Sequence, residues 1–291
     1  MTRHARTFTV GVLHPGQMGA TVAARAREHG ARVLWCPDGR SSRTEQRAVA
    51  ARLEPVADVG EVLRRSDVVL SICPPMVAEG VAREVATHGY RGVFVEANAI
   101  SPRRFGSIRD VLVAAGTRVV DGSFIGPPPG ESRSVRLYLA GEHDDVETVR
   151  ALFAGTVVHT VALDGDSGAA SALKMAQTSY QKAARALAAV AHALAAEHGV
   201  TDHLIAEANR IGSPLADPGY LPSVAARAWR WAPELLEAAE TLEAAGLPGE
   251  LAGAAAEVLD RWRGDKDQWD LTVAEVLAQL REDRCVAGQG G

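Results

Sequence analysis

Short apolar runs alternate with longer amphipathic stretches through the first half of the chain, and the alternation stops after about Val161. The runs Thr7–Leu13, Arg32–Cys36, Val68–Ile72, Gly92–Glu96, Arg118–Phe124 and Arg136–Ala140 read as strands. Helical patterns fall between and after them, at Met18–His29, Ser42–Leu53, Val59–Arg65, Val77–His88, Ser101–Ala115 and Asp144–Phe153. Strand and helix in regular alternation predict a parallel sheet covered by helices on both faces. Its crossovers are right-handed, and a ligand binds at the carboxyl ends of the strands.

The second half carries only the helical period. Ser167–Glu197 is one Ala-rich stretch, long enough at 1.5 Å per residue to reach about 45 Å. Further helices are predicted at His203–Ile211, Pro222–Trp231, Pro233–Ala245, Glu250–Arg263 and Thr272–Arg281, with a break at Gly246-Leu247-Pro248-Gly249. The expected organisation is a nucleotide-binding domain over residues 1–163 and an all-helical substrate and dimerisation domain over residues 164–291. No internal repeat is visible.

The first strand runs into Gly11-Val12-Leu13-His14-Pro15-Gly16-Gln17-Met18-Gly19, a strand, glycine turn and helix start. Such a turn brings backbone N–H groups and the positive end of a helix to a pyrophosphate. The fingerprint is imperfect, because His14 stands where its first close glycine belongs. Gly16 and Gly19 keep the positions for phosphate approach and helix–strand packing. His14, Pro15, Gly16, Gln17 and Met18 are therefore candidate cofactor contacts.

The second strand ends near Trp35 with no acid before Asp38, although an acid there would bind the ribose 2′-OH of NAD. Gly39-Arg40-Ser41-Ser42-Arg43 follows, and its two guanidiniums and two hydroxyls suit a 2′-phosphate. Arg40, Ser41, Ser42 and Arg43 thus predict NADP(H) over NAD(H), with Asp38 keeping NAD open. Val68–Cys73 stops at Pro74-Pro75, where the chain would bend over the nicotinamide side, so Cys73, Pro74 and Pro75 join the cofactor candidates. Asn98 lies just past a strand end, whereas Ser101-Pro102 is a helix start. Asp121 opens a glycine- and proline-rich segment reaching Gly130. Gly165-Asp166-Ser167-Gly168 opens the long helix, which carries Lys174, Gln177, Thr178 and Gln181 on one face.

Composition narrows the classes. The 291 residues carry a net charge of −5 with no block of Lys and Arg, which argues against a nucleic-acid partner. Cys36, Cys73 and Cys285 show neither metal spacing nor a disulfide pattern. No apolar stretch is long and clean enough for a bilayer, and Met1–Thr7 is followed by no signal-type apolar region. The expectation is a soluble, cytoplasmic protein without a metal and with a small-molecule substrate. Gly288–Gly291 is expected to fray.

Taken in order, the glycine turn, the Gly39-Arg40-Ser41 corner, the Pro74-Pro75 bend, Ile100-Ser101-Pro102, the Asp121 segment and the Gly168…Lys174 helix resemble the β-hydroxyacid dehydrogenase superfamily. That superfamily includes 6-phosphogluconate and 3-hydroxyisobutyrate dehydrogenases. The resemblance covers essentially the whole chain. It implies an N-terminal Rossmann-type doubly wound parallel sheet followed by an all-helical C-terminal domain. Ala228-Trp229-Arg230-Trp231 and Ala244–Pro248 look like an uncharacterised helical module found behind such domains. The resemblance places the catalytic lysine at Lys174 and puts Thr178 where the family has an asparagine. Its substrate loop, usually D-A-P-V-S-G-G, falls on Asp121–Pro127, with Ile125 in place of a serine and Pro127 in place of a glycine. Ser123, Phe124, Ile125 and Gly126, with Gln177 and Gln181, are then the substrate candidates. The implied activity is hydride transfer between nicotinamide and a small carbonyl or hydroxy compound other than the usual 3-hydroxy acids. Lys174 would act as general acid or base, with Thr178 and Asn98 orienting the oxygen. Imine reductases share the architecture and generally depart at the lysine, and a non-catalytic dinucleotide-binding protein is the rival from another class. The implied assembly is a homodimer through the helical domain.

Overall fold

The computed structural model describes residues 7–130 and 132–281. Cys285 and the Gly288–Gly291 end lie outside the described residues, as do the first six. The described residues form two compact units, divided between Lys174 and Met175.

The first unit is built on β1 (Thr9–Val12), α1 (Gln17–Glu28), β2 (Arg32–Trp35), α2 (Ser42–Ala50), β3 (Glu54–Pro55), α3 (Val59–Arg65) and β4 (Val68–Ser71). It continues through α4 (Ala78–Thr87), β5 (Val93–Glu96), α5 (Pro102–Ala114), β6 (Arg118–Ile125), β7 (Val135–Ala140), α6 (His143–Ala151) and β8 (Val158–Ala162). The eight strands lie in the order β3-β2-β1-β4-β5-β6-β7-β8. All neighbours are parallel except β6 and β7. The first six positions are the order of a doubly wound dinucleotide-binding sheet, and the direction of winding reverses between β1 and β4.

Side chains alternate across each strand, so the sheet separates two cores. Val10, Val12, Val33, Val68 and Leu70 pack with Val22, Ala23 and Ala26 of α1 and Val149 of α6. On the other face, Leu34, Val69 and Phe94 pack with α3, α4 and α5 through Val62, Val85, Phe105, Ile108 and Leu112. Gly11 sits on this second face because an added Cβ would lie 2.6 Å from Val62 Cγ1. The expected doubly wound sheet is thus present, and β3 and β8 add to the expected strands. The strand expected over Arg118–Phe124 runs to Ile125 and forms an antiparallel hairpin with β7 in which Ser123 faces Tyr138 and Ile125 faces Arg136.

The long helix α7 (Ala169–Glu197) begins in the first unit and continues through the second. The second unit adds α8 (Thr201–Arg210), α9 (Leu221–Ala244), α10 (Glu250–Asp260) and α11 (Val273–Ala278). Its core is largely alanine: Ala183, Ala186 and Ala189 of α7 cluster with Ala225, Ala228 and Ala232 of α9, and Trp262 is fully buried in the same core. Here the structure corrects the expected break at Pro233, which lies exposed inside the single helix α9. An interior proline costs about 3 kcal/mol. Val224, Ala228, Leu235 and Ala239 on the buried face of α9 span the proline and offset that loss by burial.

No helix is long and apolar enough to cross a membrane among the described residues.

Candidate functional site

The site follows from where the sheet changes winding direction. Strands β1 and β4 end side by side there, with the Leu13 N–H donating to Leu70 O at 3.3 Å. The chain then turns through His14, Pro15 and Gly16 into α1. A Cβ on Gly19 would stand 2.4 Å from the His14 carbonyl oxygen, so this turn closes only on a glycine. A Cβ on Gly16 would meet nothing within 4 Å, which leaves open space before the helix start. No side chain caps α1 and no acid lies in its first turn. The leading N–H groups at Gln17 and Met18 therefore have no competing anion within the helix.

Two unpartnered polar atoms lie beside this turn, His14 Nδ1 and Arg40 Nε, both buried. Burial first, and the Arg40 charge second, push the His14 imidazole down to about 4. His14 is therefore neutral at pH 7 and sets no second positive charge beside Arg40. Ser41 is the N-cap of α2: its Oγ accepts from the Thr44 N–H at 3.3 Å. Ser42 and Arg43 open the same helix. A neutral imidazole, an arginine, a free helix end and an open glycine fit a bound dinucleotide phosphate.

Beyond β4 the chain passes Cys73 and Pro74 into a short 3₁₀ turn at Pro75–Val77. Asn98 holds this bend. Its Oδ1 accepts the Cys73 N–H at 2.6 Å, and its Nδ2 donates to Ser71 Oγ at 3.2 Å and to Glu96 Oε1. The Asn98 N–H also donates to Glu96 Oε1, at 3.1 Å. Both amide hydrogens of Asn98 are spent inside the protein. Its carboxamide fixes the Cys73–Pro74 bend.

Glu96, which sequence reasoning passed over, is 1% exposed, and its Oε2 has no partner. Desolvation raises its carboxyl to about 8, with the nearby Asp121 adding to the rise. The same desolvation, with Glu96 second, pushes the Cys73 thiol up to about 12, so Cys73 stays protonated. An acid closing the apolar strand Val93-Phe94-Val95 was the available signal.

Asp121 is register neighbour to Glu96 and is fully buried. It accepts the Ser171 N–H at 2.9 Å and the Ser171 Oγ–H at 2.7 Å. Asp121 thereby caps the start of α7 from across the chain. One turn on, Lys174 Nζ donates to the Phe124 carbonyl oxygen at 2.8 Å. Strand and helix are laced at two points, and the lysine is set over the end of β6. Ser123 lies on the Asp121 face of β6, buried, with Oγ unpartnered. Ile125 closes the strand and Gly126 follows at φ +130°.

Further along α7, in the second unit, Thr178 is buried with an unpartnered Oγ1. Gln177 Nε2 donates to Gln181 Oε1 at 2.6 Å. Among the described residues no group of His, Cys, Asp and Glu is placed to hold a metal ion.

Residues 195–262 match the family described as a domain of unknown function, DUF1932. An uncharacterised 28.5 kDa protein from the region 5′ of a 7S RNA in Methanothermus fervidus is 24% identical over 196 residues, covering 67% of this chain and 74% of that one. Among solved structures, a Mycobacterium tuberculosis 3-hydroxyisobutyrate dehydrogenase with L-serine aligns at TM-score 0.74 and 18% identity, over 95% of this chain and all (100%) of the other. An imine reductase variant from Myxococcus stipitatus in complex with NAD+ aligns at TM-score 0.57 and 17% identity, over 95% and 99%. The chain has the fold of these dehydrogenases and reductases, as its sequence resemblance implied.

Proposed function

We propose that this protein is an NADP(H)-dependent oxidoreductase acting on a small carbonyl or hydroxy compound, with Lys174 as general acid or base. The observation that carries the reading is the pairing of a glycine turn open at Gly16 with Lys174 anchored to Phe124 O at 2.8 Å. When bound, the cofactor supplies the hydride. His14–Met18 would hold its pyrophosphate, and Arg40 with Ser41, Ser42 and Arg43 would hold the 2′-phosphate. Cys73, Pro74 and Pro75, kept in place by Asn98, would form the wall beside the nicotinamide. Lys174 delivers a proton to the substrate oxygen on reduction and receives one on oxidation. Ser123, Phe124, Ile125 and Gly126 would line the substrate, with Gln177, Thr178 and Gln181 as further candidates on the helix that carries the lysine.

The substrate panel spans hydroxy acids, ketones and cyclic imines, because solved imine reductases share this fold. Lys174→Met keeps an unbranched stem and removes the ammonium. Turnover is expected to fall about 10²–10⁴-fold, with NADPH affinity within about twofold of the parent. Near-normal turnover in the variant would remove Lys174 from the mechanism. Nucleotide binding without turnover on any substrate would favour a non-catalytic dinucleotide-binding protein.

Tyr180, Leu187, Val190 and Leu194 form an exposed apolar stripe along α7, 45–79% accessible. This stripe supports a homodimer through the helical unit. Light scattering at micromolar concentration is expected to give twice the chain mass, and a monomer mass removes this part of the reading.

A further inference from the structure

The helical unit concentrates positive charge around one indole. The Arg185 guanidinium lies 5.9 Å and the Arg227 guanidinium 6.0 Å from the Trp231 ring centroid. Each is fixed on a second ring as well: Arg185 lies 5.6 Å from Tyr220, and Arg227 stacks 4.6 Å over Trp269. The hydrogen bonds they make run back to their own helices, from Arg185 to Gln181 O at 3.0 Å and from Arg227 to Ser223 O at 2.7 Å. Neither guanidinium has a carboxylate partner among the described residues, and both are half-buried. The third cation at the ring, the Lys182 ammonium at 5.7 Å, is engaged by the buried Glu234.

Two like charges held together, partly out of water and without a counter-charge, oppose one another. Arg227 registers this: burial first, then the charges of Arg230 and Arg185, hold its guanidinium below the ordinary value. A guanidinium carries five N–H donors in a planar fork, and most of those on Arg185 and Arg227 have no acceptor among the described residues. Planar forks match carboxylate and phosphate oxygens. The rings fix both forks in advance, which lowers the ordering cost of binding.

We propose that Arg185 and Arg227, set around Trp231, form a binding site on the helical unit for a ligand bearing a carboxylate or phosphate group. Its two arginines and the central indole come from α7 and α9, and the site does not depend on the cofactor reading. An anion there would relieve the repulsion between the two cations and would therefore stabilise the unit.

The experiment uses the full chain without cofactor, titrated with inorganic phosphate and, separately, with malonate, at ionic strength held constant with sodium chloride. Thermal unfolding and calorimetry are the readouts. A saturable rise in Tm is expected with at least one anion, and its apparent affinity should fall tenfold or more in both R185Q and R227Q. Without anion, neither variant should be less stable than the parent, because each removes one of two repelling charges. The control is K266Q, which removes another ring-stacked cation, 4.3 Å from Trp229, and should leave the response intact. A response to phosphate alone assigns a phosphorylated ligand, and one to malonate alone assigns a carboxylic acid. The proposal is overturned if neither anion exceeds chloride, if the response is the same in the parent and both arginine variants, or if K266Q loses it equally. A lower Tm of R185Q and R227Q without anion would also overturn it, by showing that the arginines serve packing.

Discussion

Glu96 accepts both N–H groups that Asn98 can offer it, the backbone amide at 3.1 Å and the side-chain Nδ2. This buried pair positions the Cys73–Pro74 bend, and it makes stability depend on pH. The Glu96 carboxyl rises from 4.5 to about 8 in the folded chain. Between those values the folded protein keeps a proton that the unfolded chain has released. Stability contributed by the protonated form is thus present below the ordinary carboxylate value and is lost as pH rises towards 8. Glu96→Gln keeps an acceptor for Asn98 and cannot titrate, so its unfolding free energy should be flatter over this window than the parent's. Parallel curves in denaturant titrations from pH 4.5 to 8 would contradict the assignment.

Asp121 holds the start of α7 through Ser171, one turn before Lys174. Asp121→Ala leaves two buried donors unsatisfied, at about 1–3 kcal/mol each. Ser171→Ala removes only the hydroxyl bond and should cost about 1 kcal/mol. Chemical denaturation should rank the two in that order, and equal losses would show that the Ser171 N–H bond contributes little.

Gly16 and Gly19 should separate binding from folding. The open space at Gly16 predicts that Gly16→Ala folds with stability within about 0.5 kcal/mol of the parent, while NADPH affinity drops because the methyl group enters the phosphate approach. Gly19→Ala meets the His14 carbonyl at 2.4 Å and should lose about 1–3 kcal/mol of stability. Paired thermal and fluorescence titrations read both quantities. Full NADPH affinity in Gly16→Ala would place the pyrophosphate elsewhere.

Arg40→Ala should weaken NADPH far more than NADH, because only NADPH carries a phosphate for the guanidinium. Equal dissociation constants for the two cofactors in the unmodified protein would refute the preference for NADP(H).

Lys182 and Glu234 form a buried ion pair in the helical unit. Removing one partner strands the other charge, so Glu234→Leu should cost about 3–5 kcal/mol. The double variant Lys182→Met/Glu234→Leu should recover most of it. A double variant no more stable than Glu234→Leu would show that the pair is needed for packing and not only for charge balance.

The strands and most helices of the first unit were legible because apolar period and glycine placement decide them locally. The strands β3 and β8 were not. Glu54–Pro55 is too short to carry a period, and Val158–Ala162 is specified by pairing with β7 across the sheet. The candidate positions that the sequence marks are Gly16, Gly19 and Arg40, by their place in motifs, and Lys174, by resemblance. The hydrogen-bonding of Asn98, the burial of Glu96 and the capping by Asp121 depend on which strand ends meet. They appear only once β4, β5 and β6 lie side by side. Pro233 misled because a local rule for breaking helices was overridden by burial on the far face of α9.

The shortness of β3 has a consequence for the chain in a crowded solution. An outermost strand offers a row of unpaired backbone groups on which a foreign strand can crystallise. On this rim the offer is two residues long, and Pro55 has no N–H to give. Arg32 and Arg65 both grip Glu54, at 2.6 Å and 2.9 Å, and set two cations beside the rim. On that side the sheet ends in a boundary that rejects recruits, so concentrating the folded protein should not seed fibres from this margin.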